Sequence, residues 1–181
     1  MTRLAPGSEG LSKRLFFAVW PDEKAAAALS ELATRLAGDA GGKPMPEGKI
    51  HLTLAFLGAI DAASRATAIE VANEISGRPF ELCIDRTGSF RRARVAWAGI
   101  SALPAPLMTL QSALESGLRH RQFDLDERPY VPHVTLARNT TRSLQPASIA
   151  PIRWRVGAFT LVRSETGTGR YVVEDRWELG V

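Results

Sequence analysis

"HLTLAFLG", residues 51–58, decides how this chain is read. It has the length and composition of a buried β-strand, yet it opens on one of only three histidines in 181 residues. Alternate strand residues face opposite sides, so His51 and Thr53 point one way while Leu52 and Leu54 point the other. Phe56 shares the parity of Leu52 and Leu54 and is expected in the core. A second stretch, "HVTLAR" at 133–138, repeats the arrangement, with His133 and Thr135 on one side and Val134 and Leu136 on the other. Arg138, which closes it, reaches the polar side only if the strand bends or ends there.

Working outward, the elements before the two stretches match as well. "RLFFAVW" reads as a strand ended by Pro21 and followed by the helix "PDEKAAAALSELATRLAG", with acidic residues in its first turn and a terminating glycine. A Gly/Pro-rich loop then leads to His51. Further on, Asp61 caps a helix to about Ile75, and "FELCID" and "RRARVAW" read as strands. "LPAPLMTLQSALESGLRH" is helical, and a polar loop leads to His133. Leu15 to His51 is 36 residues and Val95 to His133 is 38, which predicts a duplicated strand, helix, loop, strand unit. "GAFTLVRS", a turn at "ETGTG" and "RYVVEDRWEL" predict a C-terminal hairpin. Residues 1–12 lack periodicity and read as a mobile extension to one domain spanning 13–181.

Composition bounds the function. With 45% hydrophobic and 23% charged residues, this is an ordinary globular chain. Its apolar runs fall far short of the ~20 residues that span a bilayer, and no secretory leader is evident, so the expected setting is the cytoplasm, without membrane partners. Cys83 is the only cysteine, which excludes an internal disulfide, and its neighbours Leu82 and Ile84 suggest a small core residue. Charge is uneven: residues 1–90 hold 10 basic and 11 acidic groups, net −1, and residues 91–181 hold 13 and 8, net +5. Such a positive half attracts phosphates and nucleic acid. The clean alternation leaves no exposed apolar stripe, so a monomer is expected.

If the two units pack face to face, two imidazoles and two hydroxyls meet in one cleft. In-line displacement at a phosphodiester needs a base for the nucleophile and an acid for the leaving oxygen, on opposite sides of phosphorus. Two histidines supply one neutral and one protonated partner near neutral pH. Threonine hydroxyls can donate to the non-bridging oxygens. A lone strand histidine is usually structural, but two in the same H-x-T-L context are hard to attribute to packing. Neither motif has Asp, Glu or Cys at same-face spacing, so neither a metal nor another cofactor is expected. His120 ends a helix, where a cation suits the helix dipole, and reads as structural.

The paired "HLTL" and "HVTL" resemble the two signatures of the two-histidine phosphoesterase superfamily. With "RLFFAVWP", "IHLTLAFLG", "PHVTLAR" and "FTLVRS", the chain from Lys13 onward is similar to the bacterial and archaeal RNA 2′,3′-cyclic phosphodiesterases, also called 2′-5′ RNA ligases. The resemblance implies a bilobal α+β fold with pseudo-two-fold symmetry, each lobe an antiparallel sheet backed by helices, with the active cleft between them. It implies hydrolysis of RNA or nucleoside 2′,3′-cyclic phosphates to 2′-phosphomonoesters, with a weak reverse ligation. Carried onto this chain, it makes His51 the general acid and His133 the general base that activates water. Thr53 and Thr135 become phosphate-binding hydroxyls, and Arg138 a residue near the nucleotide. Two alternatives stand beside it: a related enzyme acting on a small cyclic phosphate such as ADP-ribose cyclic phosphate, and a non-catalytic RNA- or nucleotide-binding protein.

Overall fold

A computed structural model describes residues 13–165 and 169–180. The extension expected over residues 1–12 and the middle of the Gly-rich turn, residues 166–168, lie outside the described residues.

The first unit follows the expected order. Strand β1 (Lys13–Val19) leads to helix α1 (Glu23–Ala40), capped by Asp22, whose Oδ1 accepts the Ala25 N–H at 2.9 Å. Gly38 stays helical instead of ending α1; the chain leaves at Gly41, in the left-handed region at φ 63°. A Cβ there would collide with Thr141 Oγ1, so the close approach also demands glycine. The two-residue strand β2 (Lys43–Pro44) and a 3-10 turn at Glu47–Lys49 precede β3 (Leu52–Ala59). His51 sits immediately before β3. Asp61 caps helix α2 (Ala62–Asn73) as expected, through the Ser64 N–H at 2.8 Å.

The second unit departs from the expected order at the turn after its first strand. Strand β4 (Phe80–Phe90) runs beyond "FELCID" and reverses into β5 (Val95–Gly99). Residues 91–94, read as strand from the sequence, form the turn between them, because antiparallel pairing of Phe90 with Val95 obliges the chain to fold back there. Arg94 takes φ 53° to do so, and its N–H bonds the Arg91 carbonyl at 3.2 Å. Helix α3 (Ala105–His120) and strand β6 (His133–Arg138) complete the unit. Strand β7 (Ala147–Val156) was not expected. Its Pro151 argues against a central strand, but β7 lies at the edge of the sheet, where a missing N–H is tolerated. Strands β8 (Ala158–Glu165) and β9 (Tyr171–Glu178) form the expected hairpin.

The strands run in the order β7-β4-β5-β6-β3-β1-β8-β9, with β2 also paired to β6. Every pairing is antiparallel. The strands divide into two lobes at the β6–β3 junction, giving the expected bilobal α+β architecture. Helix α1 follows β1 but packs on β6, β7 and β2, whereas α3 follows β5 and packs on β3 and α2. Each unit therefore lends its helix to the other lobe, which ties the two together. The core includes Trp154, Phe17 and Phe159, all fully buried, and each contributes roughly 1.5–3 kcal/mol relative to an exposed side chain. Cys83 is a further correction. It is half-buried rather than core, because Leu82 and Ile84 take the inward positions of β4 and alternation turns Cys83 to the other side. No described helix is long and apolar enough to cross a membrane.

Candidate active site

The two lobes meet at a single rung, Leu52 of β3 against Val134 of β6, both fully buried. In an antiparallel ladder the residues flanking such a pair face one another on the opposite side of the sheet. His51 therefore stands across from Thr135, and Thr53 across from His133. Beyond the rung the strands part, and β2 takes over the edge of β6 by pairing Lys43 with Arg138. Thr53, His133 and Thr135 thus line a cleft of about 1420 Å³, with His51 behind Thr53 at the rung.

The two histidines are held alike. His51 Nδ1 lies 2.7 Å from the Lys49 carbonyl oxygen, and His133 Nδ1 lies 2.8 Å from that of Val131, each two residues earlier in the chain. A carbonyl only accepts, so Nδ1–H donates in both rings. Nε2 is then the ring nitrogen that can exchange a proton, as a lone pair when the ring is neutral and as an acid when it is charged.

Their surroundings differ. His51 is packed by Phe16, stacked at 4.9 Å, by Trp20 at 5.2 Å and by Tyr171 edge-on at 5.5 Å. Trp20 is itself fixed: its Nε1 donates to Thr160 Oγ1 at 2.8 Å, and its carbonyl accepts from Trp154 Nε1 at 2.8 Å. Burial pushes the His51 pKa from 6.5 down to about 4, the Lys49 carbonyl opposes this, and the charges of Arg138 and His133 push further down. Among the described residues, the aromatic neighbour of His133 is Phe90, edge-on at 5.1 Å. Thr53, His133, Thr135 and Arg138 all line the cleft, whereas His51 is half-buried among Phe16, Trp20 and Tyr171.

A bulge in each strand completes the site. In β3, Thr53 pairs with Ala18 and Ala55 with Phe17, leaving Leu54 as an extra residue; in β6, Thr135 pairs with Trp97 and Ala137 with Ala96, leaving Leu136 extra. One extra residue reverses the alternation beyond it. Arg138 is thereby turned into the cleft, the bend its assignment required. Phe56 is turned out as well, contrary to the expectation of core packing: it is 51% exposed and lines the cleft. Simple period-two reading fails at both positions for the same reason.

Several residues around the two histidines carry no assignment from the sequence. Tyr130, in "RPYVPH" just before the second motif, donates its hydroxyl to the Thr53 carbonyl at 2.9 Å and so ties the approach to His133 onto β3. Burial pushes the pKa of that hydroxyl up, which keeps it a donor. An aromatic between two prolines next to a histidine was the available signal. Phe16 and Trp20 share one side of "RLFFAVW", but nothing local joins them to His51 or to Tyr171 on β9.

The sequence profile of the 2′-5′ RNA ligase superfamily matches residues 20–168, which contain both histidine motifs. This chain belongs to that superfamily. Among its superfamily relatives is the RNA 2′,3′-cyclic phosphodiesterase of Escherichia coli K12, 33% identical over 174 residues, covering 92% of this chain and 97% of the relative. The protein of the same description from Thermus thermophilus is 30% identical over 164 residues, covering 84% and 82%. The superfamily fold is matched in turn by the crystal structure of E. coli LigT in apo form. That structure superposes with a TM-score of 0.82 at 30% identity, over 93% of this chain and 98% of the other. LigT complexed with 3′-AMP gives a TM-score of 0.79, over 93% and 99%.

Proposed function

We propose that this superfamily member hydrolyses RNA or nucleoside 2′,3′-cyclic phosphates to 2′-phosphomonoesters with His51 as acid and His133 as base. The carrying observation is the pair of H-x-T motifs flanking one rung, each histidine with Nδ1 committed to a carbonyl so that Nε2 remains for proton transfer. The relatives described as RNA 2′,3′-cyclic phosphodiesterases support the substrate class.

In the proposed step, His133 Nε2 takes a proton from a water that attacks phosphorus opposite O3′. The P–O3′ bond breaks, and His51 Nε2–H protonates O3′. The products are a 2′-phosphate and a free 3′-hydroxyl, with the proton moved from one histidine to the other. Thr53 and Thr135 hydroxyls donate to the non-bridging oxygens, and Arg138 offsets their charge. Burial keeps His51 neutral at neutral pH before substrate binds. Its acid role therefore requires a proton taken up with the substrate, whose anionic phosphate favours the charged imidazole. With an RNA 5′-hydroxyl in place of water as the nucleophile, the same displacement expels O3′ and joins the two ends through a 2′-5′ bond. The enzyme works as a cytoplasmic monomer.

Turnover of 2′,3′-cyclic AMP, with chromatographic identification of the product, tests the reading. Formation of 2′-AMP is expected; absence of turnover would leave a binding protein.

A further inference from the structure

We infer that the β4–β5 turn binds backbone phosphates upstream of the terminal cyclic phosphate, so that the substrate is an oligoribonucleotide strand entering the cleft over Arg91 and Arg92. This rests on the proposed phosphodiesterase reading and adds a site outside the quartet.

Four observations carry it. First, the turn separates two hollows: Phe90 and Arg92 line the catalytic cleft, while Arg91, Arg94, Thr140 and Arg142 line a second hollow of about 380 Å³. Second, the cations here are uncompensated. No ion pair among the described residues uses Arg91, Arg92, Arg138 or Lys43. Arg94 donates to the Thr140 carbonyl at 3.1 Å and Arg142 to those of Asp39 and Gly38 at 2.9 and 2.8 Å, so hydrogen bonds hold both guanidinium groups without cancelling their charge.

Third, the turn is pre-set. Arg94 and Asn139 both adopt left-handed backbone, and the Thr140 N–H bonds the Arg94 carbonyl at 3.1 Å, clasping the turn to the end of β6. Fourth, the part of the cleft lined by Glu115, Asp124 and Asp126 offers a strand no free cation: Arg121 and Arg128 line it as well, and they and Arg119 are each paired with a carboxylate, Glu115 and Asp126 among them. A polyanion anchored at the quartet is thus drawn toward the β4–β5 turn. The cleft volume of about 1420 Å³ also exceeds the ~300–1,000 Å³ of an ordinary small-molecule pocket.

The test compares 2′,3′-cyclic AMP with an eight-nucleotide RNA ending in a 2′,3′-cyclic phosphate, across a salt series. In the double variant Arg91→Glu/Arg92→Glu, the ratio of kcat/KM for the oligonucleotide to that for cyclic AMP should fall about tenfold or more. The slope of log(kcat/KM) against log salt for the oligonucleotide should flatten by about 0.7 for each phosphate that the variant no longer neutralises. Arg35→Glu, a single charge reversal on α1, should leave both quantities at wild-type values, and Arg91→Lys/Arg92→Lys should restore most of the ratio. An unchanged ratio and slope in the double-Glu variant, with its melting temperature intact, would overturn the proposal. If the wild type turns over neither substrate, the phosphodiesterase reading fails. Salt-dependent fluorescence anisotropy of the labelled oligonucleotide then decides separately: weaker binding by the double variant supports the strand site, and equal binding overturns it.

Discussion

Phe56 and Arg138 occupy the same position of the internal repeat, each five residues beyond its histidine and each turned into the cleft by a one-residue bulge. One lobe thus offers an aromatic face where the other offers a cation. The pseudo-symmetry of the backbone is broken in the side chains, as a nucleotide with a flat base and a charged phosphate requires.

Phe56→Ala should raise KM for 2′,3′-cyclic AMP about tenfold, the loss of one base stack of roughly 1–3 kcal/mol. Phe56→Trp should restore it, because stacking tolerates any aromatic face. Exposure of 51% means that the alanine variant gives up little core, so its melting temperature should stay near wild type. A wild-type KM in Phe56→Ala would remove the residue from the base-binding role.

His51→Ala and His133→Ala should each lower kcat by ~10²- to 10⁴-fold, the range of a single acid or base. Thr53→Ala and Thr135→Ala should cost less, ~10- to 10³-fold, one donor to transition-state charge apiece. Activity should persist in EDTA, since among the described residues no three His, Cys, Asp or Glu side chains gather as ligands. Near wild-type kcat in either histidine variant, or loss on chelation with rescue by a divalent ion, would contradict the acid-base pair.

Legibility from sequence followed the range of the signal. The repeat, the helices of both units and the polar side of each motif strand depend on local periodicity, and His51, Thr53, His133 and Thr135 could be read from a few neighbouring residues. Phe56 could not: the register between β1 and β3 sets the bulge, and nothing within "HLTLAFLG" announces it. The turn at 91–94 was hidden because its four residues are "RRAR", without the glycine or proline that usually marks a reversal. Strand β7 was hidden by Pro151 and by a polar surface that suits only an edge.

The burial of His51 has a consequence for stability. Its native pKa, about 4, lies below the ~6.5 of an unfolded histidine. Between these values the unfolded chain binds more protons, so stability rises with pH across that window. The contribution is complete above about pH 6.5 and is lost as pH falls through about 4. His51→Gln removes the titrating group, and its melting temperature should therefore fall less than that of wild type between pH 7 and pH 4.5. Parallel melting curves across that range would show that His51 titrates normally in the native protein.

The last prediction assigns the roles of the two histidines, which a pH profile alone cannot do. The productive state carries one proton on the pair, and a bell-shaped curve reports the pair without saying which ring holds it. Leaving-group chemistry can distinguish them. If His51 protonates O3′, a substrate with sulfur at the 3′ position needs little help from an acid, because a thiolate leaves far more readily than an alkoxide. The 3′-thio analogue should recover most of the activity lost in His51→Ala and little of that lost in His133→Ala, whose task of deprotonating water is unchanged. The burial that holds His51 neutral before substrate binds makes this test sharp, since a neutral imidazole is equally suited to be a base. Selective rescue of His133→Ala would exchange the two roles, placing the base in the aromatic wall beside Phe16 and Trp20 and the acid on β6.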